Sequence, residues 1–114
     1  MIPYVRFIQA TILHLIADWL LQNDWMAKNK ANLRHPAGWI HGAIHAVLYA
    51  QVFTWHTALL IGLSHILIDT RIPLRSWQKL FGQTSKGNVG SIVMIWCDQV
   101  VHICILYMAA MLSM

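Results

Sequence analysis

Trp39-Ile40-His41-Gly42-Ala43-Ile44-His45 places two imidazoles four residues apart inside an apolar run. On an α-helix, positions i and i+4 share a face, so both rings point the same way. One helix presents two ligands to a zinc-type metal at this spacing. The spacing recurs as His14/Asp18, His65/Asp69 and Asp98/His102. Three of the four aspartates and five of the seven histidines lie in these pairs. Such concentration predicts that the pairs converge on one centre.

The surrounding composition predicts where that centre lies. The 114 residues are 58% hydrophobic and 11% charged, against about 25% charged in a soluble domain. The chain reads as a single integral membrane domain over residues 1–114. Cys97 and Cys104 are seven apart in one apolar run, too far along a helix for a disulfide. The net charge of +4 does not argue for nucleic acid, because the basic residues flank apolar spans, where they orient a membrane protein.

Four spans are expected, at about 3–23, 37–53, 55–69 and 88–112, giving an all-α bundle of four transmembrane helices. The shorter spans fall below the usual length of about 20 residues and suggest local thinning of the bilayer. The first carries a polar stripe of Thr11, His14, Asp18 and Gln22. In the second, Gly38, Gly42, Ala46 and Ala50 form a small-residue stripe that lets helices approach closely. Between the third and fourth, Leu74, Trp77, Leu80 and Phe81 share one face of an amphipathic segment expected to lie in the membrane interface.

Seven of the eight basic residues sit in two connectors, one holding Lys28, Lys30 and Arg34, the other Arg71, Arg75, Lys79 and Lys86. Positive charge stays cytoplasmic, which puts both connectors inside and both termini outside, with Arg6 as the lone dissent. This topology sorts the paired residues into two layers about 6 Å apart. His14, His45, His65 and His102 form the deep layer; Asp18, His41, Asp69 and Asp98 form the shallow one.

Ionisable residues at membrane depth cost several kcal/mol unless paired, and they mark functional sites. All eight are candidate metal ligands. Nitrogen and carboxylate donors without converging thiols favour zinc, with manganese or iron as alternatives, and eight candidates leave room for two ions. Some of the aspartates can instead orient ring nitrogens from behind. Haem fits poorly, because the four deep histidines fall near one level. His35 and His56 read as a solvated loop residue and an interfacial one. Gln22 and Gln99, beside the pairs, are open between hydrogen bonding to the ligands and plain helix contact. Arg71 and Arg75 are explained equally well by orientation or by gripping a phosphate.

The ordered set His14, Asp18 and Gln22, then Trp25, Met26, Ala27 and Lys30, then the His41/His45, His65/Asp69 and Asp98-Gln99/His102 pairs resembles a known family across nearly the whole chain. It is the family of small bacterial and phage membrane proteins called domain of unknown function 3307. The resemblance implies an integral protein of the bacterial inner membrane and supplies no activity. A looser likeness, in residue type and spacing, links the chain to membrane-bound metal-dependent hydrolases.

The leading expectation is a metal-dependent hydrolase acting from the cytoplasmic side on a lipid-linked or phosphate-bearing substrate in the bilayer, with Asp69 and Asp98 as the catalytic carboxylates. Depth along the helices makes Asp69 the exposed general base and Asp98 the metal or orienting partner. The competing class is a non-enzyme: a metal or proton conduit, or a partner of other membrane proteins, built on a structural His/Asp core. Self-association stays open.

Overall fold

A computed structural model describes residues 2–112. The described residues are all-α, with six helices and no strand: α1 (Pro3–Leu15), α2 (Asp24–Asn29), α3 (Pro36–Tyr49), α4 (Trp55–Asp69), α5 (Ile72–Leu80) and α6 (Gly87–Leu112). Local chemistry sets most of the boundaries. Proline opens α1 and α3 in the first turn, where its missing N–H costs nothing. Asn23, His35 and Thr54 cap α2, α3 and α4 by accepting backbone N–H groups through their side chains. His35 is therefore a helix cap rather than a solvated loop residue.

Two features depart from the expected spans. α1 does not run on as a regular helix but passes into a π-helical turn at Ile16–Leu20, closed by the Leu21 N–H donating to the Ile16 carbonyl at 3.0 Å. The first connector is not loop throughout, since α2 forms within it. The second connector contains the expected amphipathic helix, α5, entered through Arg71 at φ 64° and bent by 60° from α4.

α1 packs against α3 and α6, and α4 against the same two, so the four long helices close a ring. At one end the ring is filled by an apolar cluster of Ala10, Tyr49, Phe53, Ala58, Ile61, Leu106 and Ala110. The paired His and Asp residues fill the other end. Ile8, Ile12, Leu60, Leu67, Ile92 and Val100 face outward. One helix, Gly87–Leu112, is long and apolar enough to cross a bilayer, and the bent pair α4–α5 meets the same measure as a broken span.

Glycine sets the closest approach in the ring. A Cβ on Gly62 would stand 2.8 Å from the Ala46 Cβ and 3.1 Å from the Gly42 carbonyl oxygen, and one on Gly42 would run into the Ile66 side chain. The small-residue stripe of α3 thus packs on Gly62 of α4 and brings the His41/His45 edge beside His65. Gly38 serves a different neighbour: a Cβ there would lie 2.8 Å from the Lys30 carbonyl oxygen, so it docks the first connector.

Gly62→Val should overpack this seam and cost about 2 kcal/mol. Leu63→Val, on the exposed face of the same helix, should change stability by less than about 0.5 kcal/mol. Thermal unfolding of both variants in detergent checks the contrast; equal midpoints would contradict the packing.

Candidate metal centre

Each long helix delivers one of the paired motifs to the same buried volume. The imidazoles of His14, His41, His45 and His65 are each 1% exposed or less, and Asp18 and Asp69 are 5% and 2% exposed. The four deep histidines meet ring to ring: His45 and His65 stack with centroids 3.6 Å apart, His65 and His102 at 4.0 Å, and His14 lies 5.3–5.8 Å from the other three.

Asp18 is carried inward on the π-helical turn, a local form common at functional sites. Its Oδ1 lies 2.9 Å from His45 Nε2, 3.1 Å from His41 Nε2 and 3.6 Å from His65 Nε2. Asp69 Oδ2 lies 3.0 Å from His65 Nε2, and its Oδ1 lies 3.3 Å from His102 Nε2. Two groups of donor atoms result among the described residues: Asp18, His41, His45 and His65, and then His65, Asp69 and His102, each with its ligand atoms within 4.8 Å of one another. The first mixes the two layers, because Asp18 on the π-helical turn reaches both rings of α3. His14 and Asp98 belong to neither group.

The hydrogen bonds around these groups fix where the protons sit. Carboxylates only accept, so the Gln99 amide nitrogen must face Asp18 Oδ2 and Asp98 Oδ2, which it does at 3.0 and 3.2 Å. Its Oε1 then faces His14 Nε2 at 3.0 Å and accepts from it. A neutral His14 protonated on Nε2 has a bare Nδ1, which accepts from the Tyr49 hydroxyl at 3.2 Å. The Tyr49 oxygen in turn accepts from His45 Nδ1 at 3.0 Å. His45 is left with its Nε2 lone pair aimed at the Asp18 carboxylate 2.9 Å away. Lone pair facing anion is repulsive, and only a cation between them, a proton or a metal ion, makes the approach favourable. His41 and His65 face each other through their Nε2 atoms at 3.1 Å, a contact that an Nε2–H on one ring satisfies by donating to the other.

Tyr49 is the residue that the sequence analysis missed. Its signal was present: it continues the His41, His45 stripe by another four residues on α3. Of the two glutamines, Gln99 ties His14 to two carboxylates, whereas Gln22 bonds the Asp18 carbonyl at 3.3 Å. His56 stacks on Trp55, at a centroid distance of 3.7 Å, outside the cluster.

A polar cavity of about 180 Å³ opens onto the cluster, lined by Asp18, Gln22, Lys30, Arg71, Asp98 and Gln99 together with Trp19, Ala27 and Ile95. Asp98 is on its wall. Asp69 is not: it lies behind, 4.0 Å from Lys30 Nζ. The order of accessibility is therefore the reverse of that inferred from depth along the helices, because the cavity is walled by Ile95, Asp98 and Gln99 of α6 and by no residue of α4. Arg75 lines a separate cavity with Gln78 and Lys79.

Selective ¹⁵N labelling of the imidazoles tests this network. His14 should give the signature of the Nε2–H tautomer and His45 that of a protonated Nδ1, and Gln99→Leu should release His14 from that preference. A bare Nδ1 on His45 would break the chain of bonds.

No curated protein and no solved structure matched the chain. The sequence pattern of the family described as "Protein of unknown function (DUF3307)" matches residues 7–114. That match covers the whole cluster, from His14 to His102, and the chain belongs to the DUF3307 family.

Proposed function

We propose that this chain is a multi-pass protein of the bacterial inner membrane that holds divalent metal, zinc first, in the His/Asp cluster, and uses it for hydrolysis of a membrane-accessible substrate. In this account α1, α3, α4 and α6 are the four spans, with outward Ile, Leu and Val against lipid. Lys28, Lys30, Arg71 and the other connector cations face the cytoplasm. α3 and α4, of 14 and 15 residues, reach only about 21–23 Å at 1.5 Å per residue, so the bilayer thins around them.

One observation carries the metal. The Asp18 oxygen lies 2.9–3.6 Å from three ring nitrogens, and those of His41 and His65 are 3.1 Å apart. Ligands about 2.0–2.1 Å from a tetrahedral ion stand about 3.3 Å apart. A proton on His45 Nε2 would relieve its clash with Asp18, and an Nε2–H shared between His41 and His65 would join that pair; a single ion satisfies all three rings at once. His65, Asp69 and His102 form a second set, which would compete for His65, since its Nε2 faces both sets and carries one lone pair. His14 holds the tautomer of His45 through Tyr49, and Gln99 holds His14, the usual arrangement behind a ligating imidazole.

Bound metal supplies a water whose pKa falls toward about 7. The protein supplies the rest. Asp98, on the cavity wall and 3.3 Å from His102, is placed to take the proton from the attacking water. Asp69, buried against two rings, is placed as a ligand. Of the two carboxylates, Asp98 is thus the base.

Metal analysis of protein purified in detergent without chelator tests the proposal. Wild type should carry at least one equivalent of divalent metal. His65→Ala, which strips a donor from both sets, should lose most of it, and Tyr49→Phe should weaken affinity by about tenfold. Asp98→Asn should keep the metal and lose hydrolysis. A metal-free protein that takes up no added zinc, with His65→Ala unfolding no earlier than wild type, would contradict the proposal and favour a purely structural core.

A further inference from the structure

The polar cavity has a continuation. An apolar groove of about 350 Å³ runs between α1 and α6, lined by Leu15, Trp19, Ile95, Trp96, Gln99 and Ile103. It shares Trp19, Ile95 and Gln99 with the polar cavity, so the two are compartments of one cleft. Trp19 and Trp96 at its rim are 63% and 65% exposed on the outward face. The polar compartment holds two cations, Lys30 and Arg71. The Arg71 guanidinium makes no hydrogen bond or ion pair among the described residues, yet its backbone is held at φ 64°, a strained conformation for a side chain of this size. Gln22 adds a buried Oε1 with no hydrogen-bond partner.

Resting on the metal reading above, we infer that the substrate is a lipid phosphate monoester that enters sideways from the bilayer, its chain in the α1–α6 groove and its phosphate between Lys30, Arg71 and the metal. Each compartment selects part of this molecule. A groove walled by apolar side chains and open to the lipid face suits a hydrocarbon chain and gives water nothing to bond. Two cations match the charge of a phosphate dianion, with Arg71 able to bind two oxygens at once. Gln22 Oε1, an acceptor without a partner, is free to accept from the attacking water. Asp18 and Asp98 on the wall would repel the phosphate in the absence of metal, so binding is coupled to metal loading.

The reaction balances without a further reactant. The water oxygen bonds to phosphorus while its proton passes to Asp98. The phosphorus–oxygen bond to the lipid breaks, and the leaving lipid oxygen takes that proton back from Asp98. The products are a lipid alcohol and inorganic phosphate.

The test uses the full chain, metal-loaded, in nanodiscs of phosphatidylcholine with or without a few per cent of phosphatidic acid carrying brominated acyl chains. Phosphatidic acid should quench tryptophan fluorescence beyond phosphatidylcholine of the same bromination and release inorganic phosphate. Arg71→Gln should weaken it about tenfold at unchanged metal content. Ile103→Phe should fill the groove, with the same loss for phosphatidic acid but none for competition by inorganic phosphate. Metal-loaded protein that quenches equally with both lipids, and is indifferent to Arg71→Gln, overturns the inference while the metal reading stands. Quenching that survives Ile103→Phe while inorganic phosphate competes at full strength also overturns it, in favour of a soluble phosphate compound. Protein that proves metal-free but still prefers phosphatidic acid through Arg71 overturns the metal reading and the coupling to metal, and supports only the lipid phosphate site.

Discussion

Asp18 is the constraint around which the rest is arranged. A carboxylate this buried costs several kcal/mol unless its charge is met, and no lysine or arginine forms an ion pair with it among the described residues. Imidazoles surround it instead, at 2.9, 3.1, 3.4 and 3.6 Å. Neutral imidazoles carry no charge, and the network through Gln99, His14 and Tyr49 spends the Nδ1 proton of His45 on Tyr49 rather than on Asp18. The centre is short of positive charge where its donor atoms converge. A divalent ion is the simplest way to supply it.

The scaffold serves this arrangement through three local devices. The π-helical turn advances Asp18 across the bundle to α3. Gly42 and Gly62 let α3 and α4 close until His45 stacks on His65. Gly38 seats the first connector, which carries Lys30 to the cavity and to Asp69. The apolar cluster at the opposite end fixes the helices without contributing chemistry. Function and packing are thus separated along the bundle axis.

Much of the centre was legible because helical spacing is a strict rule. His41/His45, His14/Asp18, His65/Asp69 and Asp98/His102 each share a face whatever the helices do, and all eight residues reach one volume. Hidden were the relations between helices. Spacing gave depth but not azimuth, so Asp69 read as exposed and Asp98 as shielded, whereas the cavity opens on α6. The π-turn has no signature in the residues Ile16 to Leu20, since it is set by what Asp18 gains across the bundle. Tyr49 was hidden by being read as part of an apolar span, although its position repeats the histidine spacing. The glycine stripe was legible as close approach, but its partner, Gly62, was not.

X-ray absorption at the edge of the bound metal tests the central claim most directly. The account predicts a first shell of nitrogen and oxygen at about 2.0–2.1 Å, no sulfur, and the multiple scattering of about three imidazoles per ion, reduced by one in His45→Ala. A shell of oxygen alone, a sulfur scatterer, or a spectrum unchanged by His45→Ala would place any metal outside this cluster and contradict the account.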